Sequence, residues 1–314
     1  MCISCFWFTF FILLFSYILS ILYFCTPVIF FYANNFLSDV SALSFNIIGT
    51  LLFLTFLEEN NIKKLFVAAT CFAIAGLLKA SASIFLIAII CALFTELFLA
   101  KTKSKEYKVI KSNQYKVLFS LIFALSLIVT WYLYAIAFNK SNHTIFFGTK
   151  AMKGWPLWEN NLQSLKESIH YFRFIHVEIL SAVNLMLFLL SLILIIVFVK
   201  RADSLLIKIL AFLFLGLTLF IAYFWKGFQD QQYYLVNLII LPVLTLITAY
   251  KIVLSFKRHE IFLKLSYAML FCLTLFVVYN SKNVYKCYYK GGWRHQKLQE
   301  VYYDGNLQNK LTSF

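Results

Sequence analysis

Long apolar runs, separated by short polar breaks, dominate this sequence and limit what it can fold into. Many of these runs reach the ~20 residues that an α-helix needs to cross the hydrocarbon core of a bilayer. Only 13% of the residues are charged and the mean hydropathy is +0.82, whereas a soluble domain carries roughly 25% charged residues. Such a chain has too little polar surface to cover a water-facing globule. The sequence therefore predicts an integral membrane protein.

The runs predict an all-α fold, a polytopic bundle with about nine transmembrane spans. A run such as 185–199 is apolar on every face, unlike the ~10-residue alternating strands of a membrane barrel. A helix also pairs its own backbone polar groups, as lipid requires. The predicted spans cover residues 4–31, 39–57, 64–78, 81–99, 117–138, 178–199, 206–224, 233–253 and 262–280.

The distribution of Lys and Arg predicts the orientation of this bundle. More than half of the 28 basic residues lie in four connections on one side, at 58–64, 100–116, 200–208 and 251–264. The positive-inside rule places these connections in the cytoplasm. Residues 1–280 then form one transmembrane domain with an outer loop at 139–177, and residues 281–314 form an extracytoplasmic tail.

The residue pattern argues against several classes of function. The net charge of +15 comes from basic residues between spans, where they favour anionic lipid rather than nucleic acid. Glu96 is the main acid inside a span, and it lies near a helix end. An ion-coupled transporter would instead place paired charges at the midplane. The seven cysteines and the histidines of the outer loop show no strong metal-ligand spacing.

Polar residues gather at the predicted outer ends of the helices, as expected of an enzyme that acts at the membrane surface. The first cluster includes Asn35 and Asp39. Asp39 has two interpretations. It is either a helix cap or an outward-facing carboxylate that binds a metal or orients a substrate hydroxyl.

Two further clusters lie at the same predicted side. Lys79 occupies a turn between two short helices, where it either snorkels to head groups or contacts a phosphate. The third cluster contains Asp230 and Gln231, followed by Tyr233 and Tyr234. An aromatic belt at the interface explains the tyrosines but not the neighbouring polar residues, which favours a role in binding.

Four short motifs follow one another between residues 20 and 250. They are Thr26-Pro27 with Tyr32 and Asn35-Phe36-Leu37-Ser38-Asp39, Gly76-Leu77-Leu78-Lys79, Trp131-Tyr132-Leu133-Tyr134, and Tyr233-Tyr234-Leu235 with Leu241-Pro242. Their order resembles the SP…YYGRSFLPD, GL..L.K, WY.Y and HDYYL…LP stretches of bacterial glycosyltransferase family 39. That family includes relatives of the dolichyl-phosphate-mannose–protein mannosyltransferases and of the lipid A aminoarabinose transferase.

The resemblance implies a GT-C fold, a multi-pass location in the bacterial inner membrane, and sugar transfer on its outer face. The implied donor is a polyprenyl-phosphate-linked sugar, and the acceptor is a hydroxyl of a lipid, glycan or protein. On this analogy Asp39 is the catalytic carboxylate and Lys79 lies near the donor phosphate. The other residues implied in substrate binding are Asn35, Asp230, Gln231, Tyr233 and Tyr234. A cofactor is not firmly implied, although a divalent metal ion would also stabilise the departing phosphate.

The chain departs from the family in two places. Gln231-Gln232 stands where the family usually carries His-Asp, and the outer loop that bears the family's presumed catalytic base is missing before Thr26. No Lys or Arg precedes Lys63 either. We therefore expect that the family's first two or three helices are absent, as in a fragment, a mis-started gene or an inactive, degenerate copy.

Two other functions stay open on the sequence alone. An O-antigen polymerase or ligase shares the many spans and the large outer loop. It would carry more arginines there, whereas Arg173 is the only arginine in 139–177. The second is a non-catalytic membrane protein or a transporter.

Overall fold

The computed structural model describes residues 38–100, 105–142, 156–159, 182–225 and 232–255, together with Thr26, Ile29 and Leu275. These residues are helical and contain no strand, which confirms the predicted all-α class for this part of the chain. The α-helices are α1 (Ser38–Glu59), α2 (Ile62–Leu78), α3 (Ser83–Phe94), α4 (Lys105–Ser112), α5 (Gln114–Ser141), α6 (Ala182–Val197), α7 (Ser204–Tyr223) and α8 (Ile240–Leu254).

Shorter helical segments connect or extend several of these helices. Three of the 3₁₀ segments are single turns, at Ala80–Ala82, Leu157–Glu159 and Val199–Arg201. A longer 3₁₀ segment, Gln232–Ile239, leads into α8, and a π-helical segment, Thr95–Ala100, continues α3. Pro242 lies in the first turn of α8, a position where the missing backbone N–H of proline is tolerated.

Among the described residues, five helical segments are long and apolar enough to cross a membrane, which is consistent with a membrane protein. They are Ser38–Glu59, Ala80–Phe98, Gln114–Ser141, Ser204–Tyr223 and Val236–Val253. The predicted spans 64–78 and 178–199 correspond to the shorter helices α2 and α6. Apart from Thr26, Ile29 and Leu275, the predicted spans 4–31 and 262–280 lie outside the described residues, as does the tail 281–314.

The outer surface of the described helices is strongly apolar. Phe119 on α5, Ile196 on α6 and Leu215 on α7 are 69%, 72% and 53% exposed. Side chains of this kind are stable when they face lipid, because lipid tails are as apolar as they are. The exposed surface thus agrees with the composition in indicating a membrane environment.

A tight reversal at Asn60 and Asn61 joins α1 to α2. Asn60 has a backbone φ of 56°, a left-handed conformation that asparagine tolerates better than most residues. Its N–H donates to the carbonyl of Phe56 at 2.8 Å and closes the last turn of α1. The side chain of Asn61 accepts from the N–H of Lys63 at 3.1 Å and so caps α2. The two helices therefore run antiparallel and pack against each other.

The described parts of the connections rich in Lys and Arg lie at one end of the bundle, which we call the basic end. Lys251, in the last turn of α8, pairs with Glu58 at the end of α1, with 3.1 Å between Nζ and Oε1. The amide of Asn113 donates to the side chain of Asn60 at 2.8 Å. Because the helices alternate in direction, the starts of α1, α3 and α8 lie at the opposite end. We call this opposite end the Asp39 end.

The sequence analysis missed one helix at the basic end. Helix α4 lies within 100–116, which we had treated as a connection. It buries Ile110, while Lys108 and Lys111 stay exposed. Only a narrow stripe of α4 contacts the bundle, so many of its other positions carry lysine. A search for apolar runs therefore does not detect this helix.

Helices α1 and α2 pack closely against each other at Gly49. A Cβ atom on Gly49 would lie 2.6 Å from the Phe72 ring. That ring is 1% exposed and packs edge-on against Phe85, with 5.7 Å between the ring centroids. Phe72 therefore has little room to move away from α1.

We predict that Gly49→Ala lowers the apparent melting temperature of the detergent-solubilised protein. Overpacking a tight core costs about 1–3 kcal/mol, and this cost exceeds the up to ~1 kcal/mol that alanine normally gains over glycine within a helix. Adding Phe72→Leu should restore part of the loss. Ser41→Ala, on the exposed face of the same helix, is the matched control. A higher melting temperature for Gly49→Ala would contradict the close packing at this position.

We also predict that the two ends of the bundle face opposite sides of the membrane. Lys63 at the basic end and Lys140 near the end of α5 are both exposed. In a variant without the seven native cysteines, Lys140→Cys should react with a membrane-impermeant maleimide in intact cells. Lys63→Cys should react only after the cells are permeabilised. Labelling of both positions from the same side would disprove the arrangement, and the reverse pattern would overturn the predicted orientation.

Candidate functional site

Asp39 and Lys79, which are 40 residues apart in sequence, form a buried ion pair at the Asp39 end. Lys79 Nζ lies 3.1 Å from Oδ1 and 3.4 Å from Oδ2 of Asp39. The Asp39 side chain is 1% exposed and that of Lys79 is 20% exposed. Asp39 occupies the first turn of α1, where the helix dipole favours a carboxylate. The sequence indicated the helix start at Asp39 but not its burial.

Lys79 is held in place by the turn that joins α2 to α3. Its N–H donates to the carbonyl of Ala75 at 3.0 Å, and its carbonyl accepts from the N–H of Ala82 at 2.9 Å. Burial lowers the pKa of Lys79 below its ordinary value, an effect that the nearby Asp39 carboxylate partly offsets. We call residues 79–83 the Lys79 turn.

Asn237 joins the 3₁₀ segment Gln232–Ile239 to this pair. Its Nδ2 donates to the Ser81 hydroxyl at 2.9 Å, and its side chain lies close to the Asp39 carboxylate. Asn237 follows Tyr234 by three residues. The segment that carries Tyr233 and Tyr234 thus lies against the Lys79 turn.

Two more polar contacts hold the region around the Lys79 turn. The Nδ2 of Asn46, on α1, donates to the carbonyl of Ala82 at 3.0 Å. The hydroxyl of Tyr132, on α5, donates to the carbonyl of Gly76 at 3.2 Å. Tyr132 belongs to the Trp131–Tyr134 motif and Gly76 to the Gly76–Lys79 motif, so two motifs that are far apart in sequence are in contact.

Some buried acceptors around the Lys79 turn have no protein donor. Across the described residues, Oδ1 of Asn46, Oδ1 of Asn237 and Oγ of Ser83 lack a hydrogen-bond partner. All three side chains are less than a tenth exposed. A buried acceptor left unpaired costs roughly 1–3 kcal/mol. The site therefore holds hydrogen-bonding capacity that the described residues do not use.

The structure describes the positions of only part of the predicted set of site residues. Asp39 and Lys79 lie together, as a shared site requires. Tyr233 and Tyr234 belong to the same 3₁₀ segment as Asn237, but only their backbone is described. The remaining predicted residues, Asn35, Asp230 and Gln231, lie outside the described residues, and their roles stay predictions.

The sequence analysis missed Asn46 and Asn237 as site residues. Both are uncharged amides inside apolar runs. They are less conspicuous there than the charged side chains on which the sequence-based prediction depends. The helical spacing indicated this, because Asp39 and Asn46 are seven residues apart and so lie on one face of α1. Both are buried. A polar face inside a membrane helix is a candidate site in its own right.

The described residues do not fit a divalent metal ion at this site. Within them there is no group of three or more His, Cys, Asp or Glu side chains that could hold a metal. The ammonium group of Lys79 also lies beside the Asp39 carboxylate and would repel a cation.

Comparison with known proteins identifies no relative, since no protein-family model, no curated protein and no solved structure matches the chain. The case for a function therefore rests on the order of the sequence motifs and on the geometry around the Lys79 turn.

We predict that Lys79→Met destabilises the protein, because it leaves the Asp39 carboxylate buried without its cation. The expected cost is about 3 kcal/mol, measured as a lower melting midpoint in detergent. Adding Asp39→Asn should recover most of this loss, because no net charge then stays buried. Lys64→Met is the matched control, since its partner Glu59 is half exposed and such a pair contributes less than about 1 kcal/mol. Equal effects of Lys79→Met and Lys64→Met would contradict a buried, mutually dependent pair.

Proposed function

We propose that this protein is a membrane glycosyltransferase that moves a sugar from a polyprenyl-phosphate donor to an acceptor hydroxyl at the Asp39 end. The observation that supports this best is the convergence of polar residues on the Lys79 turn. Asp39 and Lys79 form an ion pair, and Asn237, from a third part of the chain, donates a hydrogen bond to Ser81 in the Lys79 turn. A GT-C fold in a bacterial inner membrane is part of the same proposal.

Lys79 suits a role in binding the donor phosphate. It is a partly exposed cation at the start of the 3₁₀ turn that leads into α3, and helix starts favour anions. Leu77 and Leu78, immediately before it, are 38% and 37% exposed. They offer apolar surface to a polyprenyl chain beside the cation that would hold its phosphate.

Asp39 suits a role in activating the acceptor, and the ion pair suggests how that role is controlled. Without donor, Lys79 is the counter-ion of Asp39. A donor phosphate that binds Lys79 competes for this cation and leaves the carboxylate a stronger base. Asp39 then takes the proton of the acceptor hydroxyl as general base.

The transfer reaction balances with these two groups. The acceptor oxygen forms a bond to the anomeric carbon of the sugar while the bond from that carbon to the phosphate oxygen breaks. Polyprenyl phosphate leaves with the bonding electrons, and Lys79 stabilises its added negative charge. The acceptor proton moves to Asp39.

The placement of buried acids favours this function over ion-coupled transport. Among the described residues the buried carboxylates are Asp39 and Glu96, and they lie at opposite ends of the bundle. Glu96 pairs with Lys208 at the basic end. A coupled transporter would place such groups near the midplane.

Release of polyprenyl phosphate tests the proposal directly. Purified protein is incubated with polyprenyl phosphates that carry glucose, galactose, mannose or arabinose, together with a total membrane extract as the acceptor source. Mass spectrometry then follows the released polyprenyl phosphate. We expect release from at least one donor and, for Asp39→Asn, a loss of at least about 100-fold, as for other general bases.

Glu96→Gln is the matched control for this assay. It removes the other buried, lysine-paired carboxylate, at the far end of the bundle, and should leave release nearly unchanged. Rates are compared per amount of monodisperse protein, so that a folding loss does not count as a catalytic one. Equal losses in both variants, or no release from any donor by the wild-type protein, would refute the proposal.

A further inference from the structure

Two buried amides beside the ion pair use their donors on the protein and leave their acceptors unused. Nδ2 of Asn46 donates to the Ala82 carbonyl at 3.0 Å, and Nδ2 of Asn237 donates to the Ser81 hydroxyl at 2.9 Å. Within the part of the chain that the structure describes, neither Oδ1 atom has a hydrogen-bond partner. Asn46 is 3% exposed and Asn237 is 4% exposed.

The protein contacts set the orientation of both amide groups. A backbone carbonyl only accepts hydrogen bonds, so the side chain of Asn46 must turn its NH₂ group toward Ala82. The NH₂ group of Asn237 faces the Ser81 hydroxyl, which accepts its hydrogen bond at 2.9 Å. The two Oδ1 atoms are therefore held away from these protein partners.

The unused atoms define the chemistry of a ligand. Amide oxygens require a ligand that donates hydrogen bonds, which excludes an anion. The nearby ammonium group of Lys79 disfavours a cation. A neutral group with several hydroxyls satisfies both conditions, and the ring of a sugar is such a group.

We propose that Asn46 and Asn237 form the subsite that binds the hydroxyls of the donor sugar and selects among sugars. This inference rests on the proposed function, since Lys79 then holds the phosphate to which that sugar is attached. The two asparagines contact neighbouring residues of the same turn, Ala82 and Ser81. They thus present two acceptors to one ring from two different helical segments.

A comparison of the affinities for polyprenyl phosphate with and without a linked sugar distinguishes the sugar subsite from the phosphate site. The affinity of the wild-type protein in nanodiscs is measured for polyprenyl phosphate alone and for polyprenyl phosphate carrying each of the four sugars named above. We expect at least one sugar to increase the affinity. Asn46→Leu, similar in size but without the amide, should lower the affinity for that sugar-linked lipid about tenfold, as for one lost buried hydrogen bond.

Polyprenyl phosphate alone should bind Asn46→Leu as tightly as it binds the wild-type protein. If the Asn46→Leu variant is not monodisperse, Asn46→Ser is used in its place, because its shorter side chain withdraws the acceptor. Asn237→Leu should reduce the same sugar-dependent gain in affinity. Thr50→Val is the matched control. Thr50 lies one turn deeper on α1, and its hydroxyl donates only to the backbone carbonyl of Asn46 at 2.7 Å.

Each other outcome overturns a distinct claim. If the wild-type protein binds polyprenyl phosphate and no sugar changes the affinity, the sugar subsite is disproved while the phosphate site stands. If none of the lipids binds, the proposed function fails and the subsite fails with it. If Thr50→Val weakens sugar-dependent binding as much as Asn46→Leu does, the effect comes from loosening α1, and the subsite is again disproved.

Discussion

The ion pair between Asp39 and Lys79 is the interaction on which the arrangement of the Asp39 end depends. An isolated charge inside an apolar bundle costs several kcal/mol, and so each of these groups requires the other. The start of α1 and the turn between α2 and α3 must therefore stay together. Asn237 donates a hydrogen bond to Ser81 in this turn and brings in the segment before α8. Ion pairing within an apolar surrounding thus determines which parts of the chain meet.

The surrounding polar contacts follow from the same constraint. A short turn between two helices inside apolar surroundings leaves carbonyl groups without helical partners, and these must find donors elsewhere in the protein. Asn46 supplies one donor, to Ala82, and Tyr132 supplies another, to Gly76. The turn is therefore bound to α1 and α5 through polar side chains. The same contacts leave unused acceptors beside a cation, which is the arrangement expected for a neutral ring attached to a phosphate.

The sequence predicted the positions of the helices better than it predicted the site. Seven predicted spans correspond to helices in the described residues, because burial in lipid leaves long apolar runs in the sequence. Helix α4 was missed because its lysines break that pattern. Asp39 and Lys79 were identified separately as polar residues at helix ends, but their pairing depends on how α1 packs against α2. Asn46 and Asn237 were missed because an uncharged amide hardly alters the hydropathy of an apolar run.

A structure of the protein with polyprenyl phosphate bound would test the central claim most directly. The account predicts a phosphate oxygen within hydrogen-bonding distance of Lys79 Nζ and a longer separation between Lys79 and Asp39 than the present 3.1 Å. Asp39 would then be free to meet an acceptor. A phosphate bound only among the lysines of the basic end, with the Asp39–Lys79 pair unchanged, would contradict the claim. The ion pair would then serve only to hold the bundle together.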